Sequence, residues 1–158
     1  MFRFIDDLIS LNDDGEFSKS YREIYPEEME LQKENAGDQS APYLDMGFSI
    51  SASIMTSILY DKRNAFKFSV VRLPYKCSNI PSKMFYATIG AEVLRIAKAT
   101  STYNFFIKSV HGLLLRMKRQ GADLFGLKKV LRKMLGRHFE NFQKFNKSID
   151  DIILECCT

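Results

Sequence analysis

The chain has 158 residues, about one domain by length, and with 46% hydrophobic and 13% aromatic residues it can build a real core, so wholesale disorder is excluded. It has no run of about 18 or more apolar residues, and Asp6 and Asp7 stand where a signal peptide needs its apolar segment. No transmembrane helix is therefore expected, and the expected location is intracellular, in cytoplasm or nucleus. The net charge of +4 hides a division along the chain. Residues 1–61 carry 4 basic and 13 acidic side chains (net −9), residues 62–147 carry 19 and 3 (net +16), and residues 148–158 carry none and 3 (net −3). Cys77, Cys156 and Cys157 are too few and too badly spaced for a disulfide framework or a zinc site, and read as reduced thiols without a catalytic role. Phosphate-binding glycine loops, nucleophile elbows and paired metal-binding histidines are absent.

Residues 2–5 and 8–12 are short apolar stretches parted by Asp6-Asp7, the pattern of two strands meeting at an acidic turn. Phe17, Tyr21 and Ile24 predict a short amphipathic helix closed by Tyr25-Pro26. A strand is expected around Met29 to Lys33. Further strands are expected near Leu44 to Ile50, near Ile54 to Tyr60, and where Phe66, Phe68 and Val70 alternate with polar residues. Beyond Leu73-Pro74 the apolar period changes from two to 3.6. Phe85, Ile89, Val93 and Ile96 predict a helix over about 83–100 with Ser82 as its cap. Tyr103, Phe106, Ile107, Val110, Leu114 and Met117 predict a second, broken at Gly121. Leu124, Leu127, Leu131, Met134 and Leu135 predict a third, and Phe139, Phe142 and Phe145 lead into a frayed acidic tail. The expected fold is α+β: a small antiparallel sheet with a helix, followed by an all-α bundle.

Asp6 and Asp7 carry the first chemical signal. Adjacent like charges at a tight turn repel, and a hard divalent cation relieves them. Magnesium suits the pair, because it is commonly held by one or two carboxylates and completes its shell with water and substrate phosphates. Two such ions about 4 Å apart can activate an attacking hydroxyl and stabilise departing pyrophosphate. The plain alternative is a solvated acidic turn.

Phe4-Ile5-Asp6-Asp7 resembles the aromatic-Xaa-Asp-Asp box of reverse transcriptases. Further segments follow in the family's order. Ile24-Tyr25-Pro26 with Met29 to Asn35 resembles a palm helix and strand ending in a lysine. Tyr43-Leu44-Asp45-Met46 is similar to the element beside the primer grip, and Tyr60-Asp61-Lys62-Arg63 to the segment after it in Penelope-like and related animal retroelements. Ser78-Asn79-Ile80-Pro81, Leu94-Arg95-Ile96-Ala97 and Arg119-Gln120-Gly121 resemble the helical thumb or helix-turn-helix region.

The resemblance implies a palm over residues 1–76 with primer-grip-like strands, and a helical thumb over 77–158. It implies RNA-templated DNA synthesis by two-metal nucleotidyl transfer, with Mg2+ or Mn2+ at Asp6 and Asp7, and with RNA template, DNA primer and deoxynucleotides as partners. Asp6 would be the direct ligand and Asp7 its neighbour. Lys33 would protonate the leaving pyrophosphate or remain a surface lysine. Leu44, Met46, Gly47 and Phe48 would grip the primer end or form a plain core hairpin, and Asp45 would cap or orient that turn. Because Met1 stands immediately before the box, the fingers and an earlier palm aspartate are expected to be missing, and this chain alone is expected not to polymerise.

The basic half carries the second signal. Lys128, Lys129, Arg132, Lys133 and Arg137 lie largely opposite the apolar stripe of the third bundle helix, and Arg116, Lys118 and Arg119 end the helix before it. Such a stripe neutralises phosphates without reading bases, or it is a solvated helix face. A non-enzymatic nucleic-acid-binding module is the alternative function, and a partner-binding scaffold a third. A helix lying on an anionic membrane fits less well, because the neighbouring apolar stripes are explained by burying one another.

Overall fold

A computed structural model describes residues 2–4, 7–11, 15–33, 35, 37, 39–68 and 70–157. β1 (Phe2–Phe4) pairs antiparallel with β2 (Asp7–Ile9), Phe4 standing opposite Asp7. Helix α1 (Glu16–Ile24) follows Gly15, whose φ of 86° is a left-handed conformation glycine adopts without steric cost. As expected, α1 ends where Tyr25 turns extended before Pro26.

The expected strand at Met29 to Lys33 does not form. Met29 N–H donates to the Pro26 carbonyl at 3.0 Å, and Arg22 Nη1 reaches back to the Glu27 and Met29 carbonyls at 3.2 and 3.3 Å. The segment is thus tied to α1 as a turn and loop, with no partner strand among the described residues.

The main sheet is β3 (Ser40–Tyr43), β4 (Met46–Ser51) and β5 (Ile54–Leu59), antiparallel in sequential order. Leu44 and Asp45 make the first hairpin turn, with Leu44 at φ 54°. Ala52 and Ser53 make the second with φ of 47° and 65°, and two consecutive positive φ values match the twist of the flanking strands. The alternation at Phe66, Phe68 and Val70 does not yield a strand. Asp61 caps a 3-10 turn, Lys62–Ala65, by accepting from Arg63 N–H and by pairing with the Arg63 guanidinium. Phe66 and Phe68 beyond it contact each other, with ring centroids 5.3 Å apart, and both remain exposed.

Four helices make the bundle: α2 (Ser82–Ala99), α3 (Tyr103–Arg119), α4 (Leu124–Arg137) and α5 (Ile149–Cys157). Pro81 takes the cap position of α2, so Ser82 is its first helical residue and caps nothing. Gly121, at φ 97°, turns the chain between α3 and α4 as expected. The core is built from Phe85, Ile89 and Val93 of α2, Phe106, Val110 and Met117 of α3, and Leu127, Leu131 and Leu135 of α4. Leu124, placed in the third stripe by its spacing, is 46% exposed and does not belong to this core.

The tail is not frayed. Two 3-10 turns seat Phe142 and Phe145 against Phe106, and α5 then buries Ile152, Ile153 and Cys156. Ser148 caps α5, its hydroxyl accepting from Asp151 N–H at 3.1 Å and donating to the Asp151 carboxylate at 2.7 Å.

Sheet and bundle meet along β5. Ser101 N–H donates to the Ser57 carbonyl, and Ser57 N–H donates to Ser101 Oγ, both at 2.9 Å. Arg95 of α2 pairs with Asp45 of the hairpin turn at 2.8 Å, and Leu59 packs against the helical core.

Candidate nucleic-acid interface

The eight basic residues singled out by sequence are all exposed, three at the end of α3 and five along α4. Arg116 is exposed on α3 near Arg63, and partial desolvation together with the Arg63 guanidinium lowers its pKa against the opposing pull of Asp61 and Glu92. An ionic chain runs beside it: Arg72 to Glu92 at 3.0 Å, Glu92 to Arg95 at 3.1 Å, and Arg95 to Asp45. Asp45 thus links the hairpin turn to α2 through Arg95.

Lys118 and Arg119 are exposed at the end of α3. Lys128, Lys129, Arg132, Lys133 and Arg137 are exposed on α4, opposite the face that packs against α2 and α5. Arg132 pairs with Asp150 of α5 at 2.7 Å. Lys128, Lys129 and Lys133 form no ion pair with any described residue. Their ammonium groups therefore face water, held on a rigid helix.

The position of α4 is set by Asp123. Its carboxylate accepts from Gly126 N–H at 2.6 Å, from Lys76 Nζ at 2.6 Å and from the Tyr86 hydroxyl at 2.5 Å. One side chain thus caps α4 and ties it to α2 and to the segment before α2. Tyr86 crosses so close to the first turn that a Cβ on Gly126 would stand 2.4 Å from the phenol ring. Sequence reasoning missed this cluster, although an aspartate just before an apolar helical run is a recognisable cap signal.

The Lys76 and Tyr86 hydrogen bonds, with that from Gly126, hold the Asp123 carboxyl well below the usual carboxylate range, and the Arg63 hydrogen bond lowers that of Asp61 against the opposing effect of burial. A carboxyl depressed in the folded state stabilises fully above its unfolded value near 4, and that contribution is lost as pH falls through the folded value. Thermal stability should therefore decline below about pH 4, and Asp123→Asn should decline less steeply over the same range. Melting curves followed by circular dichroism from pH 7 to 2.5 test this, and equal acid slopes in the two proteins would refute it.

The acidic-turn residues are only partly in view. Asp6 lies outside the described residues. Asp7 is the first residue of β2 and half-buried. Among the described residues no three His, Cys, Asp or Glu side chains gather to hold a metal ion. Lys33 is exposed on the loop after α1.

Of the residues matched to a primer grip, Leu44 makes the hairpin turn while Met46, Gly47 and Phe48 lie in β4. Gly47 lets Ile58 of β5 pack across the strand, since a Cβ there would approach Ile58 to 3.2 Å. Gly47 and Phe48 line a concavity of about 370 Å3 between the sheet and Phe105 of α3. Burial pushes the Cys156 thiol up to about 12, which keeps it protonated at neutral pH.

Among the described residues no helix is long and apolar enough to cross a membrane. Comparison of the chain with protein-family models, curated proteins and solved structures finds no match. The class rests on the fold itself: an α+β protein with a small antiparallel sheet followed by a helical bundle.

Proposed function

We propose that this chain binds nucleic acid through the exposed face of α4, as a non-enzymatic helical module that grips the phosphate backbone of an RNA:DNA duplex. One observation carries the reading. Lys128, Lys129 and Lys133 stand unpaired on a helix whose other face is locked into the core by Leu127, Leu131 and Leu135. The helix that carries these cations needs no folding when they meet phosphates, and the counterions released on contact supply the driving force. The resemblance of the thumb-region segments to reverse transcriptases supports a duplex of template and primer as the partner.

A second reading is metal-dependent, RNA-templated DNA synthesis, with Asp6 and Asp7 holding Mg2+ or Mn2+. It is favoured by the β1–β2 hairpin, in which Phe4 and Asp7, the first and last residues of the box, stand opposite each other. RNA-templated primer extension by a full-length chain carrying fingers and the earlier palm aspartate, abolished by Asp6→Asn, would decide for it.

The binding reading is tested by titrating a labelled RNA:DNA duplex with the full chain from 50 to 300 mM salt. The expected log–log slope is about −3 or steeper, one step for each neutralised phosphate. A flat salt dependence, or no binding at the lowest salt, overturns it.

A further inference from the structure

Phe125 is 78% exposed, more than any other large hydrophobic side chain among the described residues. It is not part of the core, although aromatic residues in this half recur at core spacing. It stands on α4 three, four, seven and eight positions before Lys128, Lys129, Arg132 and Lys133, so all five share one helix face. These five residues line a surface depression of about 530 Å3. Phe125 makes no ring or cation contact with any described residue, and most of its ring surface meets water. Gly136 continues the same face one turn beyond Lys133, with open space where a Cβ would stand. Lys129 and Lys133 are one turn apart, about 6 Å along the axis. That separation is close to the step between successive phosphates on a strand.

We infer that this depression is a binding site for single-stranded nucleic acid, in which an unpaired base stacks on Phe125 while the phosphates that follow run over Lys128, Lys129 and Lys133. The inference rests on the phosphate-binding reading of α4 and narrows it. In a duplex each base face is covered by its neighbours, so a bare ring gains nothing from it. An unpaired base offers a free π-face, and stacking on an aromatic side chain is tolerant of sequence. An acidic peptide would use the lysines but not the ring. A membrane would need an apolar strip along the helix, whereas beyond Phe125 this face carries cations for two turns. Arg132 borders the site and is paired with Asp150 at the surface, so its charge is partly compensated while the three lysines are free to meet the phosphates.

The test uses the full chain and four probes at constant salt: oligo-uridylate, oligo-deoxythymidylate, an abasic oligomer of equal phosphate number, and an RNA:DNA duplex. Phe125→Ala should weaken the two base-bearing single strands about ten- to a hundredfold. Affinity for the abasic oligomer and the duplex should not change. The chain has no tryptophan, so Phe125→Trp supplies a single reporter. Its fluorescence should be quenched by base-bearing strands and not by the abasic one, with affinity retained.

Unchanged single-strand affinity in Phe125→Ala, beside steeply salt-dependent duplex binding, overturns this inference and leaves the phosphate-binding reading standing. No binding to any of the four probes, even at 50 mM salt, overturns both. Binding to phosphatidylserine vesicles that Phe125→Ala abolishes, with oligomer affinity untouched, also overturns the inference by giving the ring to a membrane surface.

Discussion

Phe106→Ala should destabilise the fold by about 3–5 kcal/mol, the cost of removing a large aromatic side chain from a packed core. Phe106 is fully buried. It stacks on Phe145 with ring centroids 4.8 Å apart and an interplanar angle of 23°, and meets Phe142 edge-on at 5.8 Å. The three rings join α3 to the 3-10 segment between α4 and α5, so the cavity would open where local hydrogen bonding is least able to close it. Urea denaturation followed by circular dichroism measures the loss. Phe125→Ala should change stability by less than about 0.5 kcal/mol, because its ring is exposed. A loss below about 1 kcal/mol for Phe106→Ala would mean that the segment over 139–145 does not pack as described.

The second large effect is electrostatic. Lys129→Gln with Lys133→Gln should reduce the magnitude of the duplex salt slope by about 2, because each cation that meets a phosphate releases about one counterion. The affinity loss should be largest at low salt and shrink as salt rises, since the two curves differ in slope. Arg132→Gln should have a smaller effect on the slope, as its guanidinium already faces Asp150. An unaltered slope in the double variant would move the phosphate contact away from α4. The variant should fold normally, because both lysines are exposed and unpaired.

The bundle was legible because apolar periodicity and burial have one cause. Phe85, Ile89, Val93 and Ile96 recur at helical spacing and are all buried. The acidic tail was misread because three acids in eleven residues outweighed the apolar spacing of Ile149, Ile152, Ile153 and Cys156. The Ser148-Ile149-Asp150-Asp151 cap was the overlooked signal.

The strands expected at Met29 to Lys33 and at Phe66 to Val70 failed for a different reason. Alternation marks a chain that can pair, but a ladder also needs a partner. Arg22 holds the first segment in a turn, and the second follows directly on the Asp61-capped 3-10 turn, whose last bond is from Phe66 N–H to the Arg63 carbonyl. At the basic site the charges were legible one by one. Which of them remain free was not, because that depends on Asp150 and on the junction around Arg63, both distant in sequence from the groups they engage.

The paired hydrogen bonds between Ser57 and Ser101 act beyond joining sheet to bundle. A three-stranded sheet has two open borders, and each is a template on which another chain could add a strand. On the β5 border Ser101 occupies both the N–H and the carbonyl of Ser57, at the middle of the strand. On the β3 border Pro42 removes one donor from the ladder. The sheet therefore carries its own protection against edge-to-edge association at both margins. On the β5 side that protection lasts only while the α2–α3 corner stays folded, so unfolding of the bundle would expose the strand most able to recruit a second copy.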